Sequence, residues 1–302
     1  MKGVLLVNLG TPSAPTTEAV RRYLAEFLAD RRVVPLPRWL WLPILHGIVL
    51  RTRPAKSAEK YAQIWTPEGS PLALHTARQA ELLKLRLGIP VAHAMRYGEP
   101  SIASALQQLK DCEVTVVPLY PQYSASATES VTDKLPPGMA AIREFHAHPA
   151  YIAALAANVR RHWRERGRSP LLVMSFHGLP KKGGEQYATQ CIHTATLLAG
   201  KLGLKESEWR VTFQSRFGYA EWLQPYTEAT LIDTAKEGNT RVDVACPGFV
   251  SDCLETLEEI GITAKQKFLQ AGGREFHLIA CLNESQEWID ALAEILSGRA
   301  AP

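Results

Sequence analysis

A histidine at the end of a predicted strand is the first residue whose type and place could do chemistry. His177 follows an apolar run that ends in Phe176, and Gly178 and Pro180 turn the chain directly after it. A neutral imidazole can accept a proton or bind a metal ion near pH 7. A core histidine that is hydrogen-bonded to the backbone is the plain alternative, so the neighbours of His177 in the fold decide its role.

Three acidic residues, Asp252, Glu255 and Glu259, follow a later predicted strand. On an α-helix these three side chains share one face, and such a carboxylate stripe could pass cations or receive protons. The Asp-x-x-Glu spacing is also typical of a capping box, and acidic residues stabilise a helix N-terminus without any further function. By itself, the pattern favours the structural interpretation.

The segment at residues 35–54 combines tryptophans, leucines and arginines. Trp39 and Trp41 stand among leucines, and arginines flank them at positions 38, 51 and 53. Such a patch could lie at a bilayer interface or form an apolar lip over a flat hydrophobic ligand. An ordinary buried helix is the alternative, although Pro43 and Gly47 disfavour it.

The composition excludes several classes of protein. Of the 302 residues, 46% are hydrophobic and 21% are charged, which is typical of a folded chain with a large core and excludes disorder. The net charge of +4 is small and the basic residues are spread out, so we expect no nucleic-acid partner. The chain lacks the glycine-rich nucleotide loops and the GxSxG and HExxH motifs.

The N-terminus and the cysteines favour the cytoplasm. Residues 1–8 form a short apolar run that is typical of a strand and not of a signal peptide. Five widely spaced cysteines without a CxxC pair are typical of reduced thiols. No stretch reaches the roughly 18–20 apolar residues that a membrane-spanning helix needs. We expect a cytoplasmic protein that is soluble or peripheral at the inner membrane.

Short β-branched or apolar runs alternate with longer amphipathic runs along the chain. The predicted strands cover residues 3–8, 91–96, 113–118, 171–176, 210–215, 241–246 and 275–281. The predicted helices cover residues 17–29, 74–87, 100–110, 151–166, 186–203, 223–236, 251–260 and 285–298. Strands that are separated by helices form parallel sheets with helices on both faces, so the predicted fold class is α/β.

An internal repeat is visible in the turns that follow the strands. The turn at residues 9–12 is similar to the turn at 177–180, and 96–98 and 118–120 are similar, in the same order, to 216–218 and 247–249. The repeat predicts two similar domains. Residues 1–148 form the first, with the apolar lip at about 30–55, and residues 149–302 form the second, with a last helix that could pack back on the first. Because ligands bind beyond the carboxyl ends of parallel strands, where all six turns lie, we expect the site in a cleft between the domains.

The ordered motifs resemble those of the ferrochelatases, which insert ferrous iron into a porphyrin as the last step of haem synthesis. The resemblance runs from residue 8 to about residue 282. Its most specific pieces are LYPQYS at 119–124, SFHGLP at 175–180, QSR at 214–216, WLQPYT at 222–227 and GFVSDCLETL at 248–257. The resemblance implies two Rossmann-like domains, each a parallel sheet that is flanked by helices.

The resemblance also implies roles for individual residues. His177 corresponds to the family's active-site histidine and Glu255 to its catalytic glutamate on the opposite wall, so both are candidate catalytic and metal-binding residues. Glu259 corresponds to an acidic position of the family's proton or metal path, and we also assign Asp252 to this path. At a further position of the path, where the family has an acidic residue, this chain has Thr263. The implied substrate-binding positions are Leu9, which faces the histidine across the macrocycle, Arg53, Tyr61 and Ser70 near the propionates, and Arg96, Tyr120 and Trp222 along the pocket.

Animal members of the family bind a [2Fe–2S] cluster through one internal cysteine and three cysteines in a C-terminal extension. The internal position is Ala125 here, and no cysteine follows Cys281. We therefore expect no cluster of the animal type, no required cofactor, ferrous iron as a substrate, and a monomer without the animal dimer contact. A different cluster arrangement stays open, with Cys191, Cys246, Cys253 and Cys281 as its ligands.

The apolar lip bears on the choice of porphyrin. Family members that act on coproporphyrin, which carries four carboxylates, tend to have a shorter and more polar lip and often a tyrosine in place of Leu9. The long lip with Trp39 and Trp41 therefore predicts protoporphyrin IX, taken from a membrane surface that the lip contacts. Coproporphyrin III, another tetrapyrrole or metal, and a non-catalytic two-lobed binding protein are the alternatives.

Overall fold

The chain divides into two compact units in the computed structural model, which describes residues 1–216 and 220–298. The first unit is Met1–Tyr120 with Ser124–Glu144, and the second is Pro121–Tyr123 with Phe145–Pro302. A domain boundary between residues 148 and 149 remains a prediction. Of the six repeated turns, the one at 216–218 lies partly outside the described residues.

Each unit contains a four-stranded parallel sheet, and the strand order is the same in both. The first sheet has the order β2-β1-β3-β4, with β1 at Lys2–Gly10, β2 at Val91–Tyr97, β3 at Glu113–Pro118 and β4 at Ala140–Ala141. The second has the order β6-β5-β7-β8, with β5 at Leu171–His177, β6 at Trp209–Gln214, β7 at Arg241–Ala245 and β8 at Glu275–Leu278. The predicted α/β class is therefore confirmed, and the shared order fits the internal repeat.

Helices connect the strands of both sheets. In the first unit they are α1 at Thr17–Ala29, α2 at Arg38–Ile44, α3 at Leu50–Ile64, α4 at Pro71–Leu87, α5 at Ile102–Gln108 and α6 at Ser130–Thr132, with π-helical turns at Leu45–Val49 and Ala125–Glu129. In the second they are α7 at Pro149–Arg166, α8 at Glu185–Leu202, α9 at Thr227–Lys236, α10 at Lys265–Gln270 and α11 at Gln286–Ser297, with a 3₁₀ turn at Glu206–Glu208 and a π-helix at Glu255–Ala264. Within the described ranges, no helix combines the length and the apolar character that a bilayer span requires.

The second sheet is organised around its central strand, β5. Every residue of β5 before His177 is buried, as expected for a parallel strand that is covered on both faces. Val173 of β5 packs in one core cluster with Val244 of β7, Leu231 of α9 and Phe268 of α10. Burial ends at His177, which is half-buried, so the fold delivers this side chain to the carboxyl edge of the sheet.

The last helix, α11, packs inside the second unit. Trp288 of α11 is fully buried, and its ring centroid lies 5.9 Å from that of Tyr151 in α7 and 5.7 Å from that of Phe145. Tyr151 and Phe145 both belong to the second unit.

The tryptophan-rich segment is helical but exposed. No residue of α2 is buried, and Trp39 is 79% exposed. The Trp41 indole N–H donates to the carbonyl of Leu28, 2.7 Å away, and so ties α2 to α1. Pro43 lacks the N–H that an α-helix needs at that place, and the π-helical turn Leu45–Val49 follows it. The alternative of an ordinary buried helix is therefore wrong for α2, whereas Leu45 and Leu50, which follow it in the segment, are buried.

Candidate active site

His177, the last residue of β5, has one ring nitrogen fixed by the backbone. Its Nδ1 lies 2.7 Å from the carbonyl oxygen of Gly178. A carbonyl oxygen only accepts, so Nδ1 carries the hydrogen and Nε2 of the neutral ring keeps its lone pair. The free lone pair makes Nε2 the atom that can take a proton or bind a metal ion.

Close contact with β6 holds the turn after His177. His177 is paired with Gln214 across the sheet, and the N–H of Gly178 donates to the Gln214 carbonyl at 2.7 Å. A Cβ at position 178 would lie 2.6 Å from that oxygen and 3.2 Å from the Trp222 ring, so only glycine fits this approach. Trp222, which is half-buried, therefore borders the turn. The next residue, Leu223, also contacts the turn, because its N–H donates to the Leu179 carbonyl at 2.9 Å.

Glu259 of the π-helix is held by Ser215, the residue directly after β6. The N–H of Ser215 donates to Glu259 Oε1 at 2.7 Å, and its hydroxyl donates to Oε2 at 2.5 Å. Ser215 has a left-handed backbone with φ of +67°, which is strained for a non-glycine residue. This conformation lets both donors of one residue reach the same carboxylate.

Burial dominates the electrostatics of Glu259. It raises the pKa of this carboxyl above the ordinary 4.5, and the negative charge of Glu255 raises it further. The hydrogen bonds from Ser215 and the positive charge of a protonated His177 act in the opposite direction and lower the pKa. Glu259 is thus close enough to both His177 and Glu255 to sense their charges.

Gln214, at the end of β6, joins the two glutamates of the π-helix. Its side-chain N–H₂ donates to the Glu255 carbonyl at 2.8 Å and lies 3.4 Å from Glu259 Oε2. Its side-chain oxygen accepts the hydroxyl of Ser175 in β5 at 2.7 Å. Sequence reasoning did not include Gln214 and Ser215 among the site residues, although both stand where β6 ends beside His177, and that position is the signal that could have identified them.

The prediction of three acidic residues on one α-helical face is wrong. Helical structure begins only at Leu254 and is a π-helix from Glu255 onwards, so Asp252 precedes the helix. Asp252 is buried and accepts hydrogen bonds from Asn283 Nδ2 at 2.7 Å and from the Thr256 hydroxyl at 2.9 Å. These partners hold the loop that precedes the π-helix, which makes Asp252 a structural residue here. Its place in a proton or metal path remains a prediction.

The remaining predicted site residues belong to the first unit. Leu9 and Arg53 are half-buried, Tyr61 is buried, and buried Ser70 has its hydroxyl 2.8 Å from that of Thr11. The buried Arg96 guanidinium pairs with Asp30 and donates through Nε to the Ser130 carbonyl at 2.7 Å. Burial raises the pKa of the Tyr120 phenol, whose oxygen has no hydrogen-bond partner among the described residues. The substrate-binding roles of these residues stay predictions.

The four cysteines of the second unit are buried. Burial raises the pKa of the thiols of Cys191, Cys246, Cys253 and Cys281. Among the described residues, no three cysteine sulfurs lie within ligand distance of one another.

Comparison with known proteins identifies the family and the fold. The family model described as Ferrochelatase matches residues 1–300. A curated ferrochelatase from Polaromonas sp. is 56% identical over 96% of this chain and 85% of its own length, and one from Aromatoleum aromaticum is 54% identical over 98% and 87%. Among solved structures, SirB from Bacillus subtilis with Fe3+ covers 100% of this chain and 96% of its own, with a TM-score of 0.58 at 12% identity. CbiX, the terminal enzyme for siroheme biosynthesis in denitrifying bacteria, covers 99% and 100%, with a TM-score of 0.54 at 14% identity. At these identities the two structures show a shared fold.

Proposed function

The chain belongs to the ferrochelatase family, lyases that insert iron into a porphyrin for haem synthesis, and we propose that the polar cluster of His177, Glu255 and Glu259 performs this reaction. The observation that carries the proposal is the free Nε2 of His177 at the carboxyl edge of a parallel sheet, near enough to Glu259 for the two charges to interact. Ligands of open α/β sheets bind at that edge.

Insertion of iron requires acceptors for two protons. Two pyrrole N–H bonds break, their electron pairs stay on the ring nitrogens and bind the ferrous substrate, and two protons leave. We assign one proton to Nε2 of His177, because Nδ1 is already committed to the Gly178 carbonyl. The imidazolium that forms is stabilised by the neighbouring carboxylates.

We assign the second proton, and guidance of the incoming dication, to Glu255. Glu255 and Glu259 are both half-buried, and Glu259 is bound by Ser215. Since burial raises the pKa of Glu259, this carboxylate accepts a proton more readily than an exposed one does. Glu259 therefore serves as the next acceptor, from which protons leave the site.

The exposed lip supports protoporphyrin IX as the porphyrin. Trp39, Leu40 and Ile48 are 79%, 42% and 60% exposed, and they give α2 and the turn after it an apolar surface. Such a surface fits a flat apolar macrocycle and the interface of a bilayer better than a substrate with four carboxylates. Arg53, which follows in α3, would bind a propionate by a charge-assisted hydrogen bond. We further propose a monomer in the cytoplasm that contacts the inner membrane through Trp39 and Trp41.

We also propose that the chain works without an iron–sulfur cluster. Ala125 stands at the internal ligand position of the animal enzymes, and no three cysteine sulfurs of the described residues lie within ligand distance of one another. Protein purified without oxygen is expected to contain no acid-labile sulfide. Stoichiometric sulfide together with iron would contradict this part of the proposal.

The first experiment is anaerobic metallation of protoporphyrin IX by ferrous iron, followed as loss of the free-base absorbance. We expect turnover by the native chain and a loss of about 10²-fold or more in His177→Ala, the scale of a lost general base. His193→Ala is the control, because His193 is an exposed histidine of α8 in the same unit.

Three other outcomes of this experiment would each contradict one part of the proposal. Near-native turnover by His177→Ala would overturn the role of His177. Turnover of coproporphyrin III but not of protoporphyrin IX would overturn the argument from the lip. Binding of both porphyrins without turnover would favour a non-catalytic binding protein.

A further inference from the structure

A second group of metal-ligating side chains lies in the second unit, away from His177. His162 comes from α7, Asp243 from β7 and His277 from β8. Asp243 is level with Leu172 in the neighbouring strand, five residues before His177, which corresponds to about 17 Å along a strand. The group is therefore separate from the candidate active site.

The three ligand atoms are already close to metal-binding geometry. His277 Nδ1 lies 3.2 Å and His162 Nε2 lies 4.0 Å from Asp243 Oδ1, and all three atoms lie within 4.8 Å of one another. Zinc binds nitrogen and oxygen ligands at about 2.0–2.1 Å, which separates tetrahedral ligands by roughly 3.3 Å. His162 Nε2 would have to move about 0.7 Å towards Asp243 Oδ1 to reach this separation.

Asp243 is oriented by partners outside the group. Its side chain is fully buried, and Oδ2 accepts hydrogen bonds from the Trp163 indole N–H at 2.7 Å and the Ser169 backbone N–H at 3.0 Å. The Ser169 hydroxyl donates to Oδ1 at 2.6 Å. Such outer hydrogen bonds fix a carboxylate for metal binding.

Without a metal ion, one nitrogen atom of the group lacks a hydrogen-bond partner. His277 and Asp243 form a satisfactory pair on their own. His162 Nε2, however, is buried and has no hydrogen-bond partner among the described residues. A buried polar atom without a partner is costly, and a metal ion shared with Asp243 would satisfy it.

We propose that His162, Asp243 and His277 bind a divalent first-row transition-metal cation, with zinc as the representative ion. Two imidazoles and one carboxylate are a known donor set for zinc and for ferrous iron. The His162 and His277 side chains are 16% and 23% exposed, which leaves room for a water molecule as the fourth ligand. The ion joins α7 to β8, the edge strand of the sheet. This proposal does not rest on the proposed function.

The test measures zinc bound per chain after equilibrium dialysis, in a His177→Ala background that removes one ligand of the candidate active site. His277→Asn keeps a side-chain N–H that can donate to Asp243, and His162→Gln keeps a polar side chain. Each variant is expected to bind about one equivalent of zinc less than the background protein. His46→Gln, which changes an exposed histidine of the first unit, is expected to bind the same amount as the background.

Two further measurements keep the proposal falsifiable. Zinc is expected to raise the Tm of the background protein by a few degrees and to leave that of His277→Asn unchanged. Cobalt(II) is expected to give the intense visible absorption of a four-coordinate site in the background protein only. Equal zinc content, equal Tm shifts or equal cobalt spectra in the background and in folded His277→Asn would each overturn the proposal.

Discussion

At the residue scale, the hydrogen bond between His177 Nδ1 and the Gly178 carbonyl determines which ring nitrogen can react. The bond is local, but it exists only because Gly178 lies tightly against β6. The same edge of the sheet places Ser215 on Glu259. Two residues that follow neighbouring strands, Gly178 and Ser215, thus orient the side chains of His177 and Glu259.

Gly178→Ala tests the close approach of the turn to β6. The new Cβ would lie 2.6 Å from the Gln214 carbonyl oxygen, so the two strand ends must move apart. We expect the free energy of unfolding to fall by about 1–3 kcal/mol, measured by urea denaturation, together with a loss of kcat.

Gly200→Ala is the matched control in α8, because a Cβ there meets nothing within 4 Å. This substitution is expected to stabilise the protein by about 0.5–1 kcal/mol. Equal effects of the two substitutions would contradict the steric argument at Gly178.

Glu259→Gln tests the buried carboxylate as a proton acceptor. Since burial raises the pKa of Glu259 above 4.5, kcat of the native chain is expected to fall as the pH drops through that raised value and the carboxylate becomes protonated. The variant should lose about 10²-fold in kcat, keep its KM for porphyrin, and lose this acidic limb.

Glu275→Gln serves as the control, because Glu275 is an exposed carboxylate in the same unit. Its pH profile is expected to match that of the native chain. If Glu259→Gln retained the native profile, the proton path would not pass through this residue.

At the element scale, the π-helix Glu255–Ala264 determines which partners its carboxylates contact, in a way that an α-helix would not. Its wider turn begins at Glu255, directs Glu259 to Ser215, and leaves Glu258 buried against the Thr263 hydroxyl, 2.8 Å away. π-Helical turns are rare and are frequent at functional sites. Asp252, which precedes the turn, is left to hold the loop.

The exposed helix α2 is the second element that we expect to affect function, through membrane binding and porphyrin binding. Trp39→Gln is expected to reduce binding to vesicles of anionic lipid and to raise the KM for protoporphyrin IX several-fold, because the indole is 79% exposed and available to both. Co-sedimentation and steady-state kinetics measure the two effects.

Leu85→Gln is the matched control for Trp39→Gln, because Leu85 is a large apolar residue of α4 that is 80% exposed. It should change neither vesicle binding nor KM. Unchanged vesicle binding by Trp39→Gln would argue against the membrane contact.

At the scale of the whole molecule, a polar network around Asp30 joins α1, β2 and α6 of the first unit. In the first unit, Asp30 pairs with Arg96 and accepts the hydroxyls of Tyr97 at 2.8 Å and Ser130 at 2.7 Å. Burial alone would raise the pKa of Asp30, but the hydrogen bonds and the charge of Arg96 outweigh it and hold the pKa below 3.8.

Asp30→Asn tests this network through acid stability. A carboxyl whose pKa is lower in the folded state stabilises the fold above its ordinary pKa, and that stability is lost as the pH falls through the folded value. We expect the variant to be less stable at pH 7 by roughly 3–5 kcal/mol, since Arg96 stays buried without its partner, and to lose stability less steeply in acid.

Urea denaturation at several pH values measures the effect of Asp30→Asn. Glu18→Gln, which removes one partner of an exposed pair, should change stability by less than about 1 kcal/mol. A native-like acid profile for Asp30→Asn would contradict the argument.

The sequence by itself determined the α/β class, the strands that precede the site, the repeat and the candidate His177, whereas Glu255 became a candidate through the resemblance to the ferrochelatases. These features depend on local periodicity and on turns next to strands, which are written in short stretches of chain. The π-helix was missed because its apolar pattern is close to that of an α-helix. Asp252 was assigned to a helical face because the predicted helix began at residue 251, whereas helical structure begins at Leu254.

Only the tertiary structure decided which polar side chains meet. Ser215 binds Glu259 because β6 ends beside the π-helix, and Gln214 joins Glu255 and Glu259 for the same reason. His162, Asp243 and His277 come together from a helix and two strands, at a spacing that no sequence motif records. Contacts between distant segments depend on strand order and helix packing, so they are settled when the sheets assemble and not by any single stretch of sequence.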